Sequence, residues 1–228
     1  MVVEDPSELA RAAAQATAEI IDAAIGERGT CYWALAGGET PRGCYEELGR
    51  EPYRSRVPWE RVRFFWSDER LVPLDDPASN YGMADAALLS VIQPPKGNVF
   101  PLQDPGAYTE VLSRLPRNGG IFPRFDLIHL GLGEDGHTAS LFPGDQALDE
   151  QQALVLRVRA SKSPPDRLTM TLPVLNTARE VTFLVQGAGK REALARVLNG
   201  DASLPAGLVR PSAGQVRFLV DRAAMPPS

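Results

Sequence analysis

The sequence predicts an α/β fold with a mainly parallel sheet covered on both faces. Three observations carry that expectation. Short apolar runs, CYWALA at 31–36, VRFFW at 62–66, FDLIHL at 125–130 and EVTFLVQG at 180–187, read as buried strands. Between them apolar residues recur near helical spacing, so strand, loop and helix repeat in turn. The conspicuous polar residues follow the strands, where open sheets of this kind bind ligands.

The elements follow in chain order. Residues 7–27 read as a helix, with Ser7 as cap, Leu9, Ala13, Ala16, Ile20 and Ile21 on one face, and Gly26 and Gly29 ending it. After the strand at 31–36, GGETP turns the chain, and Pro41 sits in the first turn of a helix running to Leu48. VRFFW delivers SDER at its end. A polar loop at 73–79 leads into a helix from Asn80 to Ile92, PPKG turns, and NVFPL is a short strand or extended segment. A helix spans 105–117 and NGG stops it. After the glycine-rich turn that follows 125–130, the alternating run at 153–160 reads as an edge strand, which would place an antiparallel strand on the sheet. SKSPPDR is a loop, 167–172 a strand, and Pro173 opens a short helix towards Ala178. The strand at 180–187 leads into a helix at 190–198. QVRFLV at 215–220 is the last strand, and AMPPS frays. No internal repeat or Gly/Ser/Pro-rich linker marks a boundary, so residues 1–228 are expected to form a single domain.

Composition narrows the function classes. There are 24 Lys plus Arg against 29 Asp plus Glu, a net charge of −5, which disfavours nucleic acid as a partner. No run of 18 apolar residues offers a membrane span, and MVVEDPSELA lacks the basic start of a signal peptide. Cys31 and Cys44 form no CxxC motif and read as two reduced thiols. The only histidines are His129 and His137, and the only lysines are Lys96, Lys162 and Lys190. A His/Cys zinc site is therefore not expected, and a neutral-pH base has few candidates.

Four segments carry chemistry. Gly37-Gly38-Glu39-Thr40-Pro41 lies between a strand and a helix, so its backbone amides and the Thr40 hydroxyl suit an anion. It also fits a plain tight turn, and it is neither GxGxxG nor a Walker loop, so no nucleotide cofactor is indicated. In Ser67-Asp68-Glu69-Arg70, Arg70 suits a phosphate and Asp68 or Glu69 can orient it or a water; local surface ion pairs are the plainer alternative. Asn80 is near enough in sequence to support this loop or cap the next helix. Gly131-Leu132-Gly133-Glu134-Asp135-Gly136-His137-Thr138 offers His137 as general base with Asp135 as its partner, although an i,i+2 spacing alone does not establish contact. His129, inside an apolar run, reads as structural. Arg167 and Lys190 are two basic points beside strands, each commonplace alone. Together with Arg70 and the glycine turn they describe a phosphate pocket.

The order and spacing of LAGGETPRGCYEEL, FFWSDERLVPLDDPASNYGM, FDLIHLGLGEDGHTASLFPG, RLTMTLPVLNTA and GAGKREAL resemble the 6-phosphogluconolactonase family over nearly the whole length. The resemblance implies a Rossmann-like three-layer α/β/α fold similar to glucosamine-6-phosphate deaminase. It implies hydrolysis of 6-phospho-D-glucono-1,5-lactone to 6-phospho-D-gluconate, in the cytoplasm, with no cofactor and no catalytic metal. A sugar phosphate is the implied small-molecule partner, and a monomer is expected. The related deaminases share most of these segments. They carry a glutamate before the proline that follows their DGH element, where this chain has Phe142, which favours the lactonase. On this reading His137 and Asp135 are catalytic. Gly37, Gly38, Thr40, Asp68, Arg70, Arg167 and Lys190 bind substrate and its phosphate. Asp135 is preferred over Asp68 for orienting the base or the water. No serine acyl-enzyme is expected, since no GxSxG elbow occurs.

Overall fold

The computed structural model describes residues 1–117 and 119–226. Its elements are β1 (Val2–Val3), α1 (Pro6–Arg28), β2 (Cys31–Leu35), α2 (Glu39–Leu48), α3 (Tyr53–Arg56), β3 (Val62–Trp66), β4 (Asp68–Arg70), α4 (Asn80–Ala84), α5 (Ser90–Ile92), α6 (Pro105–Ser113), β5 (Leu127–Gly131), β6 (Val155–Arg159), β7 (Asp166–Met170), α7 (Leu172–Leu175), β8 (Glu180–Val185), α8 (Arg191–Leu198) and β9 (Gln215–Asp221). Six strands form a parallel sheet in the order β1-β9-β8-β5-β2-β3, the centre of a three-layer α/β/α arrangement. α1 and α2 pack on each other, and the buried side of α1 (Leu9, Ala13, Ala16, Ile21) joins the core. Trp33, Phe64, Phe65, Trp66 and Phe183, all buried, fill the space about the strands.

Several expectations need correction. The alternating run at 153–160 does not extend the main sheet. β6 pairs with β7 and β7 with β4 in a separate three-stranded antiparallel sheet. The end of VRFFW is the junction: the Ser67 amide donates to the Leu35 carbonyl of β2, while the Ser67 carbonyl accepts from Met170 of β7. One residue thus hands the chain from one sheet to the other, and DER, expected as loop, becomes β4. Asp5 rather than Ser7 caps α1, accepting from the Glu8 amide at 2.8 Å. Gly26 lies inside that helix, which ends at Gly29. α6 stops at Ser113, not 117, because the residue before Pro116 is disfavoured in the helical region. Asn118, the first residue of NGG, lies outside the described residues. So do residues 227–228 of the expected frayed tail, while Ala224 within it is buried. The short helix near Pro173 covers only Leu172–Leu175. The helix expected from Asn80 to Ile92 is present, with a π turn at Asp85–Leu89 joining α4 to α5.

The strand order places the site. From β2 the chain moves outward to β3, whereas from β5 it moves the other way, to β8 and β9. The carboxyl ends of β2 and β5 therefore bound the crevice at which such sheets bind ligands.

Candidate active site

A cleft of about 390 Å³ opens at that switch point. Gly37, Gly38, Thr40, Asp68, Arg70, His137, Arg167 and Lys190 all line it, as do Asn80 and Gln186. Four chain segments expected to act together thus meet in one place.

The first side is the start of α2. No side chain caps this helix, which leaves its first-turn amides without a side-chain partner, and Gly38, Glu39 and Thr40 line the cleft. Gly37 is tightly constrained: a β-carbon there would meet the Asn80 side chain at 1.8 Å.

The second side is the small sheet. Side chains alternate along a strand, so Asp68 and Arg70 share a face and Glu69 takes the other. Asp68 accepts from the Ser140 hydroxyl at 2.6 Å and from Asn80 Nδ2 at 3.2 Å. Glu69 instead turns beneath α4. Its carboxylate accepts from the amides of Arg70, Asn80 and Tyr81, each at 2.7 Å, and from the Ser79 hydroxyl at 3.1 Å. Burial pushes the Glu69 carboxyl upward, against those amide hydrogen bonds. Between the two acids the strand period selects Asp68 for the cleft and Glu69 for the scaffold.

Arg70 and Arg167 stand opposite each other in the antiparallel register. Arg70 donates to the Ala78 carbonyl at 2.7 Å, and its Nε is buried with no partner. Arg167 donates to the Pro164 carbonyl at 3.1 Å. Its burial, with Arg70 beside it, lowers its proton affinity. Among the described residues neither arginine, nor Lys190 at the turn before α8, forms an ion pair. Directly opposed like charges destabilise a sheet, and an anion between them reverses the sign of that interaction.

The third side is the loop after β5. The Gly133 amide donates to the His137 carbonyl at 2.8 Å and the Gly136 amide to the Gly133 carbonyl at 3.0 Å, closing a tight turn. His137 Nδ1 lies 2.5 Å from the Asp135 carboxylate, which also accepts the His137 amide at 3.2 Å. Partial burial raises the Asp135 carboxyl, but the hydrogen bonds from His137 outweigh it and hold it below its usual range. An acceptor-only carboxylate requires the proton on Nδ1, which leaves Nε2 as the basic nitrogen. Gly133 is essential to this pairing, because a β-carbon would sit 2.1 Å from His137 Nδ1. Beyond it, Ala139 takes a left-handed φ of 49°, costing about 1 kcal/mol, in the turn that brings the buried Ser140 back to Asp68. The Phe142 ring centroid lies 4.9 Å from that of His137, and the Arg167 guanidinium carbon lies 5.9 Å from the centroid of the same Phe142 ring.

Sequence reasoning missed Ser140 and Gln186. Ser140 carried a signal, a lone hydroxyl between Ala139 and Leu141. Gln186 follows β8 just as Gly37 lies beyond β2, so its position pointed to the cleft. Among the described residues no group of three or more His, Cys, Asp and Glu side chains is arranged to hold a metal ion.

Residues 4–218 match the family of glucosamine-6-phosphate isomerases and 6-phosphogluconolactonases. A 6-phosphogluconolactonase of Synechocystis is 41% identical over 216 residues, covering 90% of this chain and 87% of that protein. The structure of 6-phosphogluconolactonase from Trypanosoma brucei superposes with a TM-score of 0.86 at 33% identity, over 98% of this chain and 97% of the other. A monomeric glucosamine-6-phosphate deaminase shares the fold, with a TM-score of 0.82 at 23% identity, over 98% of this chain and 97% of its own.

Proposed function

This chain belongs to the glucosamine-6-phosphate isomerase/6-phosphogluconolactonase family, and from that premise we propose how its cleft performs the reaction. The activity is that of a 6-phosphogluconolactonase: it hydrolyses 6-phospho-D-glucono-1,5-lactone to 6-phospho-D-gluconate, in the oxidative pentose phosphate pathway. The observation that carries the site reading is one cleft lined by His137, whose Nδ1 is held from behind by Asp135, and by three cations that form no ion pair among the described residues.

A lactone is a cyclic ester, so its opening needs a deprotonated water, a stabilised oxyanion and a protonated leaving oxygen. His137 Nε2 takes a proton from water as the water oxygen bonds to C1. Backbone amides of the glycine-rich turns hold the resulting oxyanion. Asp135 stabilises the imidazolium, which returns its proton to O5 as the C1–O5 bond breaks. The products are the open-chain acid and its 5-hydroxyl. Arg70, Arg167 and Lys190 grip the 6-phosphate with Gly37, Gly38 and Thr40, and Asp68, held by Ser140 and Asn80, accepts a sugar hydroxyl. The phosphate acts through orientation, so an unphosphorylated lactone is a poor substrate. Phe142 supports the lactonase over the deaminase, because it places an aromatic ring beside His137 where the deaminase pattern carries an acid.

We extend the proposal to a cytoplasmic monomer. Two buried free thiols, Cys31 and Cys44, suit a reducing compartment. Among the described residues no helix is long and apolar enough to cross a membrane.

A rapid assay on freshly generated phospholactone tests the reading, with glucosamine 6-phosphate and unphosphorylated gluconolactone as comparisons. Ring opening well above the spontaneous rate is expected for the phospholactone alone. Ammonia release from glucosamine 6-phosphate, or equal turnover of both lactones, would overturn it.

A further inference from the structure

Two buried tyrosines repeat one device at neighbouring strand ends. Tyr45, on α2, accepts a hydrogen bond from the Ala36 amide at 2.9 Å and donates one to the Ala36 carbonyl at 3.2 Å. Tyr108, on α6, accepts from the Trp66 amide at 2.8 Å and donates to the Trp66 carbonyl at 3.1 Å. Ala36 is the residue before Gly37, and Trp66 is followed by Ser67 and the cleft residues of β4. Each phenol therefore saturates both backbone groups of the residue at which the chain leaves the main sheet.

The sheet explains why those groups need partners. Backbone groups point alternately to the two sides of a strand. The Leu35 carbonyl faces β3, where it accepts from Ser67; Ala34 and Ala36 face β5. The β2–β5 ladder stops at Ala34 and Ile128, because the strands diverge to open the cleft. Ala36, itself buried, is left without its ladder partner. β3 is the edge strand. Its Phe64 carbonyl accepts from Phe100, and Trp66 is the next residue facing outward. A buried, unpaired backbone group is costly, and a loop beginning at one would be poorly placed. Water is an exchangeable partner. A phenol set in the core is a fixed one: Tyr45 stacks parallel to His129 at 5.9 Å, and Tyr108 meets Phe65 edge-on at 6.2 Å. Burial raises the proton affinity of both phenols, so the hydroxyls remain able to donate.

We propose that Tyr45 and Tyr108 are positioning residues of the cleft, fixing the exits of β2 and β3 and so the placement of Gly37–Thr40 and Asp68–Arg70 around the phosphate. The inference rests on the phosphate-site reading above. Neither hydroxyl touches the His137 loop, which leaves from β5. Their loss is therefore expected in substrate binding more than in the chemical step.

The test uses Tyr45→Phe and Tyr108→Phe, which each remove one oxygen and keep the ring. KM for the phospholactone and Kd for 6-phosphogluconate should rise about fivefold or more in each variant, with a smaller change in kcat. Unaltered KM and Kd alongside a lowered Tm would reduce both phenols to fold stabilisers and overturn the proposal. Arg167→Ala separates the two layers of inference. If that variant binds 6-phosphogluconate as the wild type does, the phosphate-site reading fails, whatever the tyrosine variants do. Should either variant not fold, hydrogen exchange on the wild type decides: the Ala36 and Trp66 amides are expected to exchange slowly, and fast exchange at both would refute the clamps.

Discussion

His129 and His137 lie on the same strand and the loop that leaves it, and their surroundings have made them different chemical objects. His129 is fully buried between Tyr45 and Trp33. Its Nε2 lies 3.1 Å from the Thr17 hydroxyl, and its Nδ1 is buried with no partner. Burial lowers its pKa to about 3, so it is neutral across the physiological range. His137 sits at the cleft with its Nδ1 on an ionised carboxylate. The difference shows that enclosure alone removes a histidine from proton traffic. A base needs one nitrogen fixed by an anion and the other facing the substrate.

The sharpest way to break this comparison is His137→Asn. Turnover should fall roughly 10²- to 10⁴-fold while 6-phosphogluconate binding changes little; near-normal turnover would end the base assignment. Next comes Asp135→Asn, which keeps the shape but offers Nδ1 a weaker partner. A kcat lowered by less than in His137→Asn is expected, and an unchanged kcat would show that the pairing does not serve the reaction. The smallest effect concerns His129. Its folded pKa is depressed, so its share of stability is present above about pH 6.5 and is lost as pH falls towards 3. Denaturant unfolding of the wild type between pH 7 and 4 should show this decline, at up to about 1.4 kcal/mol per pH unit. His129→Gln should flatten the slope, and the same slope in that variant would mean other groups cause it.

The main sheet and the candidate residues were legible because each depends on local pattern. Four apolar runs marked strands, and glycine, charge or a cap marked where each chain turn begins. The small sheet was not legible. β4 is three residues long, and its partners lie about a hundred residues away, so nothing near Asp68 announces the pairing. The same gap left the choice between Asp68 and Glu69 open on the residues alone; the resemblance singled out Asp68, and strand alternation supplies the physical reason. Pro116 is the local signal for the earlier end of α6, since it disfavours the helical region for the residue before it. Ser140 was harder, because its role arises only when an unusual φ at Ala139 brings it back to Asp68. The Asp135–His137 contact likewise depends on a turn geometry that spacing does not specify.

The short ladder between β2 and β5 has a mechanical consequence. Those strands share two residue pairs, against five for β2–β3 and for β5–β8 and six for β8–β9. Among the pairings between strands of five or more residues it is thus the least stitched seam, with Gly37 on one bank and His137 on the other. A molecule that touches both banks becomes a temporary rung across it. Catalysis and cohesion then share one line in the fold, since any molecule that binds only the folded cleft stabilises the protein by mass action.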